Sequence, residues 1–277
     1  MSAQKRIVRP VKNEVGDVAA NYDELPLWSA PFGQLILDRV PLRRGQTVLD
    51  IGAGTGFLTI ELAQRSGNDS RVIAVDPWAE AMAVLQRKVD FLGLSNVEVS
   101  ISDAAKLDLP DDSVDVVVSN LGVNNFDNAD IVLRECRRVL RPGGQMLIST
   151  NLVGHMAEFY DAYRDVLIAL DLRQHLDALE SHIAHRATVD GTLAMFEAAG
   201  FADTEVQTAS FRLRYADGTA LLRHYFIGLG FLPAWRAIVP PEDAPRVLDA
   251  VEGELNLRAA ETGDLALTIP MACFSAQ

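Results

Sequence analysis

One stretch constrains this chain more than any other: Thr47-Val48-Leu49-Asp50-Ile51 runs into Gly52-Ala53-Gly54-Thr55-Gly56, then into Phe57-Leu58-Thr59-Ile60-Glu61-Leu62-Ala63. Val48, Leu49 and Ile51 favour a strand, whereas Leu58, Leu62 and Ala63 share one helical face, so the hydrophobic period changes across the glycines. Strand, tight turn and helix are predicted in that order. Without Cβ atoms, Gly52, Gly54 and Gly56 let the turn take unusual φ values and let a ligand lie against the backbone at the positive end of the helix. Asp50 adds a negative charge beside that turn. A pyrophosphate would be repelled by it, and the dinucleotide fingerprint spaces its glycines G-x-G-x-x-G, whereas G-x-G-x-G stands here. The pattern suits a ligand that carries an ammonium group and no phosphate.

Asp50-Ile51-Gly52-Ala53-Gly54-Thr55-Gly56 resembles the first motif of class I S-adenosylmethionine-dependent methyltransferases. Further on, Leu140-Arg141-Pro142-Gly143-Gly144 followed by Leu147-Ile148 is similar to the wording of members that act on small molecules such as quinone, sterol or polyketide precursors, the ubiquinone/menaquinone methyltransferase-like group. The likeness covers residues 20 to 150 or so, and Ala199-Gly200-Phe201 is similar to the family's C-terminal half. It implies an α/β fold, a Rossmann-like seven-stranded methyltransferase sheet, mostly parallel, with helical cap insertions. It also implies S-adenosyl-L-methionine as cofactor. Asp50 and the backbone of Gly52, Ala53, Gly54 and Gly56 would hold its methionine portion.

The chain in order supplies the rest of the site. Arg71-Val72-Ile73-Ala74-Val75-Asp76 reads as a second parallel strand, and Asp76 lies twenty residues beyond Gly56, the offset at which a nucleoside-binding sheet presents an acid to a ribose diol. Its other reading is an N-cap for a helix opening near Pro77; the two are compatible, and Trp78 beside it would wall the adenosine. Val97 to Ile101 forms a third strand delivering Ser102-Asp103-Ala104. The resemblance implies that Asp103 accepts from the adenine amine while the Ala104 amide faces a ring nitrogen; a solvated loop is the plainer reading. Val116-Val117-Val118 is a strand buried on both faces, ending near Asn120 and Asn124, which either touch cofactor or substrate or merely form a turn. Tyr22, in the segment Val18 to Asp23, either covers the cofactor, as the resemblance implies, or packs an N-terminal helix. Leu35 to Val40 reads as a helix stopping before Pro41, Ala129 to Leu140 as another with Cys136 in its core face, and Gln145 to Thr150 as a fifth strand after a break at Arg141-Pro142-Gly143-Gly144.

Beyond 150 the likeness fades into two helical insertions, about 151–190 and 217–258, expected as a substrate cap on a single domain spanning 1–277. Tyr160, Tyr225 and Trp235 are the candidate acceptor contacts there, with a dimer face or plain core as the other reading of the aromatic second insertion. His155, His182 and His185 are the candidate general bases, against a plainer reading as surface helix histidines. His182-x-x-His185 lacks a third ligand, so no metal is expected. Thr204 to Tyr215 reads as a sixth strand, Thr219 to Ala237 and Pro241 to Arg258 as helices, and Ala266 to Phe274 as a last strand weakened by Pro270.

Composition bounds partners. With 38 acidic against 25 basic residues the formal charge of −13 repels polyanions, so neither nucleic acid nor an anionic membrane is expected. The N-terminus lacks the apolar run of a signal peptide and no stretch is long enough to insert in a membrane, which with only Cys136 and Cys273 fits a cytoplasmic protein. Arginine-heavy usage suggests a bacterial genome. Two cysteines also fall short of the three that arsenite methylation would demand. The resemblance implies direct methyl transfer to a small, apolar or aromatic acceptor as the expected activity. The alternatives are an S-adenosylmethionine-binding protein with lost or regulatory activity and, disfavoured by Asp50 and the glycine spacing, a nicotinamide-dependent oxidoreductase.

Overall fold

The structure is a computed structural model describing residues 18–20, 22 and 26–277. The polar N-terminal stretch 1–17, with Asn21 and Asp23 of the segment around Tyr22, lies outside the described residues. Seven strands, β1 (Thr47–Ile51), β2 (Arg71–Asp76), β3 (Val97–Ile101), β4 (Val114–Asn120), β5 (Leu140–Asn151), β6 (Glu205–Tyr215) and β7 (Leu265–Ala276), form one sheet in the order β3-β2-β1-β4-β5-β7-β6. β1 to β5 pair in parallel, and β7 runs antiparallel to β5. The sheet is thus mixed, with its order reversing between β1 and β4. That reversal opens a crevice at the carboxyl ends of the strands, the usual ligand position in open α/β sheets.

Parallel neighbours need crossovers, and helices α1 (Pro26–Leu37), α2 (Phe57–Ser66), α3 (Ala79–Leu92) and α4 (Ala129–Val139) flank these strands. In α4 the buried residues Val132, Leu133, Cys136 and Val139 fall on one helical stripe. They join Leu49, Ile51, Val117, Met146, Ile148 and Phe274 in one apolar cluster. Each fully buried Val or Leu of this kind contributes about 1.5–3 kcal/mol, which is why the polar opposite face does not dissolve the helix. Edge strand β3 has no fully buried residue and is held to β2 by Arg71, whose Nε and Nη2 donate to Glu98 at 2.5 and 2.6 Å.

The chain divides into two compact units. One, made of the described residues within 18–152, 187–209 and 270–277, contains most of the sheet and its flanking helices. The other includes 153–186 and 210–269 and is helical, comprising α5 (Ala157–Ala169), α6 (Leu176–Ala184), α8 (Gly218–Arg223), α9 (Tyr225–Gly230), α10 (Leu232–Arg236) and α11 (Ala244–Thr262), whereas α7 (Val189–Ala198) belongs to the sheet unit.

Several boundaries differ from the sequence expectation. The first helix stops at Leu37 rather than Val40, its end tightened by Arg39 and Val40 amides that both donate to Ile36 O. Arg141-Pro142-Gly143-Gly144 does not break the fifth strand but bulges from it: Leu140 pairs with Val114 and Gln145 with Val116, leaving four residues opposite Asp115. Gly143 takes φ +76 there, and Arg141 donates to Asp115 at 2.5 Å. The helix expected over 219–237 is three short ones, interrupted at His224, whose backbone is extended, and at Phe231, which follows Gly230 and precedes Pro233 in the first turn of the next helix. Pro270 lies inside β7, yet the pairing with β5 begins one residue later at Met271, and only its carbonyl is used, accepting from Leu152 N at 3.0 Å.

Candidate active site

The three glycines after β1 have three different reasons to be glycine. All take positive φ: Gly52 +70, Gly54 +54 and Gly56 +89. A Cβ on Gly56 would lie 2.2 Å from Leu85 Cδ1 of α3, so this residue lets the two helices pack. A Cβ on Gly52 would lie 3.0 Å from Gly122 Cα, while one on Gly122 would lie 2.5 Å from Ser119 Oγ. Ser119 in turn donates to Ile51 O at 2.8 Å, so the ends of β1 and β4 are joined through small residues. Gly54 alone opens on empty space, with no atom within 4 Å of its Cβ position. It is the part of the turn against which a ligand can lie.

Asp76 ties this cradle to the neighbouring strand. Its Oδ2 accepts from Gly54 N at 2.9 Å and its Oδ1 from Trp78 N at 2.8 Å. The helix after it starts at Ala79 and not near Pro77, so Asp76 bonds the loop ahead of the helix rather than its first turn. Each carboxylate oxygen keeps a second lone pair for a hydroxyl donor. Tyr22 stands edge-on to Trp78, ring centroids 5.7 Å apart, and burial together with the Asp76 charge raises its hydroxyl pKa. Trp78 Nε1 is buried and has no acceptor.

Asp50 is 1% exposed beneath the turn. Burial pushes its carboxyl up to about 7, against the pull of the Thr59 hydroxyl that donates to Oδ2 at 2.6 Å and with the help of the Asp76 charge. No motif marks Thr59. Its position in the first turn of α2, nine residues after Asp50, was the available signal.

Asp103 is exposed, Oδ1 accepting from Ala105 N at 2.8 Å, with Ala104 buried beside it. The loop that carries them is held by Arg138 of α4, a residue sequence reasoning passed over. Its guanidinium donates to Leu107 O at 3.1 Å, Leu109 O at 2.8 Å and Asp111 Oδ1 at 2.6 Å, and it pairs with Glu135. Nothing in local sequence marks it, since its partners lie about thirty residues earlier.

Asn120 and Asn124 have their amides engaged within the sheet unit. Asn120 donates to Ser29 O at 3.1 Å and accepts from Ser149 Oγ at 2.7 Å; Asn124 donates to Asn151 Oδ1 at 2.9 Å and accepts from Thr150 Oγ1 at 2.5 Å. Both therefore clamp the end of β4 to β5.

In the helical unit, His155, Tyr160, His182 and Trp235 come together, while Tyr225 is 38% exposed and His185 is exposed. His155 is not a surface helix residue: it is 1% exposed, on a turn between Gly154 (φ +91) and Met156 (φ +52) that Met156 N fastens to Thr268 O at 2.8 Å. Its ring packs on Phe231 at 5.4 Å. Tyr160 OH meets His182 Nε2 at 3.1 Å and accepts from Trp235 Nε1 at 3.3 Å, and Phe159 stacks on Trp235 at 3.8 Å. Cys136 and Cys273 are both buried, and burial raises both thiols, Cys273 to about 11. Among the described residues no cluster of three His, Cys, Asp or Glu side chains could hold a metal, and no helix is long and apolar enough to cross a membrane.

The first three strands each end at or beside a carboxylate, around a turn that leaves one glycine open. That arrangement is the one the sequence reading expects of a nucleoside-binding α/β protein. The chain belongs to the methyltransferase-domain family, whose profile matches residues 42–200, more than half of it. Its cofactor is S-adenosylmethionine, and the open cradle at Gly54 beside Asp76 fits that group. Among relatives, it is 36% identical over 162 residues to an arsenite methyltransferase of Halobacterium salinarum, covering 58% of this chain and 39% of that one. It is 34% identical over 155 residues to the ubiquinone/menaquinone biosynthesis C-methyltransferase UbiE of an Enterobacter species, covering 53% and 62%. The chain thus spans less than two thirds of the length of these two relatives. The YcgJ protein of Bacillus subtilis shares the fold at a TM-score of 0.60 with 17% identity, over 89% of this chain and 97% of that one.

Proposed function

We propose that the chain moves the methyl group of S-adenosylmethionine to a small, apolar or aromatic acceptor, and that the helical unit recognises that acceptor. The sulfonium supplies an activated methyl that a nucleophile can take directly, so the protein's part is to align, to exclude water and, for some acceptors, to remove a proton. Asp76 would hold the ribose hydroxyls, Asp103 and the Ala104 amide the adenine, and Asp50 with the Gly54 turn the ammonium end. The observation that carries the cofactor half of this reading is Gly54, open where its two neighbouring glycines are closed by packing.

The acceptor half rests on the aromatic make-up of the helical unit, in which Phe159, Tyr160, Phe231 and Trp235 pack on one another with two imidazoles as a buried core beneath the surface that would meet the acceptor. Thiol chemistry on arsenite finds no support, because both cysteines are buried. A methyl-release screen with phenols, quinones, amines and thiols tests the reading: turnover with an aromatic or quinonoid acceptor is the expected result. Tight binding of S-adenosylhomocysteine without turnover on any class would favour a cofactor-binding protein that has lost activity.

A further inference from the structure

We infer that the helical unit carries a ligand site of its own, the cleft between α8, α10 and one face of α11, and that this cleft takes a neutral molecule with an aliphatic chain. The inference goes beyond the methyl-transfer reading and does not depend on it.

The cleft has a volume of about 1480 Å³, against roughly 300–1,000 Å³ for an ordinary small-molecule site. Its long wall is α11. Ala244, Leu248, Glu252 and Asn256 line it at four-residue spacing, so one stripe of that helix faces the cleft over ~18 Å. Val247, Val251 and Leu255 fall on another stripe and are 0% exposed, whereas Leu248 keeps 8%. Leu222 of α8, Leu232 of α10 and Ile238 and Val239 after it complete an aliphatic lining, each between 4% and 9% exposed. That residual apolar surface is what a ligand would cover.

The frame around it is fixed. Thr219 of α8 donates its N–H to Asn256 at 3.1 Å and its hydroxyl to Glu252 at 2.5 Å, and accepts from the Asn256 amide at 3.1 Å. Beneath α10 the Tyr163 hydroxyl donates to Trp235 O at 3.0 Å. Pro233, Pro240, Pro241 and Pro245 also line the cleft, and proline has a fixed φ and no N–H, so this wall is stiff and apolar.

Gly253 is the second observation. It lines the cleft from inside α11, has no positive φ, and has no atom within 4 Å of its Cβ position. Neither backbone conformation nor packing requires a glycine there, and glycine is a poorer helix former than any residue but proline. What it provides is a wall lowered to the main chain, which a ligand can approach closely.

The lining also selects the ligand. His175 is its one aromatic side chain among the described residues, so the cleft favours a flexible aliphatic chain over a planar ring. Its formally charged side chains are Arg223 and Arg236 against Asp249 and Glu252, two of each sign, so their sum favours neither an anion nor a cation. The arginine stems extend the apolar wall while their charged heads reach water.

Titration calorimetry with 1-octanol, octanoate, octylammonium and 1-naphthalenemethanol tests this. 1-Octanol is expected to bind the wild-type chain at least tenfold more tightly than each of the other three. Gly253→Leu is expected to melt no lower than the wild type, because leucine is the better helix former and meets no atom, and to weaken 1-octanol at least tenfold by filling the cleft. Equal binding of octanoate, octylammonium or the naphthalene alcohol overturns the proposal, as does a 1-octanol affinity that Gly253→Leu leaves unchanged, or no 1-octanol binding at all. A concentration-dependent dimer in sedimentation that Gly253→Leu abolishes would give the cleft to a second copy of the chain and overturn it too. The wild-type comparison of the four ligands needs no variant, so a poorly folding Gly253→Leu leaves the test intact. Because the readout is binding, the result is the same whether or not any acceptor is methylated.

Discussion

Gly54 N donates to Asp76 Oδ2 at 2.9 Å, so the turn after β1 and the end of β2 are one piece of structure. The same carboxylate takes Trp78 N on its other oxygen. Asp76→Asn is therefore not conservative, because either orientation of the amide sets an NH2 against a backbone N–H. An unsatisfied donor of this kind costs about 1–3 kcal/mol. We expect Asp76→Asn to lower the melting temperature by several degrees and to weaken S-adenosylhomocysteine at least tenfold. Scanning calorimetry and titration calorimetry measure the two effects, and an unchanged affinity would detach Asp76 from the ribose.

The glycines give a cleaner separation of folding from binding. Alanine at Gly54 must adopt φ +54 but meets no atom, so it is expected to cost only about 1–2 kcal/mol of stability. Alanine at Gly56 carries the same backbone strain and strikes the buried Leu85 as well. Gly54→Ala should keep a cooperative melt and lose cofactor, whereas Gly56→Ala should melt markedly earlier. If Gly54→Ala bound S-adenosylhomocysteine as the wild type does, the cradle would lie elsewhere.

Much of this was readable in the sequence, for physical reasons that also set the limits. The period change across Gly52 to Gly56, the doubly buried Val116 to Val118 and the carboxylate at the end of β2 are local patterns, and each holds its predicted strand or turn. Which glycine is open was not legible, because the difference lies with Leu85 and Gly122, thirty and seventy residues away. Nor was the burial of His155, which depends on a turn between two residues at positive φ. The pairing of Arg138 with the 107–111 loop is likewise a contact between distant segments. Periodicity reports which face is buried; it is silent on which polar atoms then meet.

Asp50 makes stability and binding depend on pH in opposite directions. Its folded pKa is raised from 3.8 to about 7, so folding takes up a proton between those values. The stabilisation is full below about pH 4 and is lost as pH rises toward 7, at up to roughly 1.4 kcal/mol per unit of pKa shift. A ligand ammonium beside Asp50 would favour the ionised carboxylate. The free protein should therefore be less stable at pH 8 than at pH 5 by an amount that Asp50→Asn removes. S-adenosylhomocysteine should bind more tightly at pH 8 than at pH 6, with proton release detectable by calorimetry in buffers of different ionisation heat. Binding that takes up protons instead would place the ammonium away from Asp50.

Arg138 tests whether a residue that never touches the ligand can set its affinity. Its guanidinium bridges two backbone carbonyls, Leu107 O and Leu109 O, and the Asp111 carboxylate, so it fixes the loop immediately after Asp103 and Ala104. Lysine can replace the charge but not the fork, since one ammonium cannot reach the partners that three guanidinium nitrogens meet. Arg138→Lys and Arg138→Ala should both loosen the loop and raise the KM for S-adenosylmethionine several-fold, with kcat much less affected, because the chemistry does not pass through the adenine end. Hydrogen exchange should quicken over residues 103–112 in both variants while β1 and β4 stay protected. A fall in kcat at unchanged KM would mean that Arg138 supports the reacting end of the site instead.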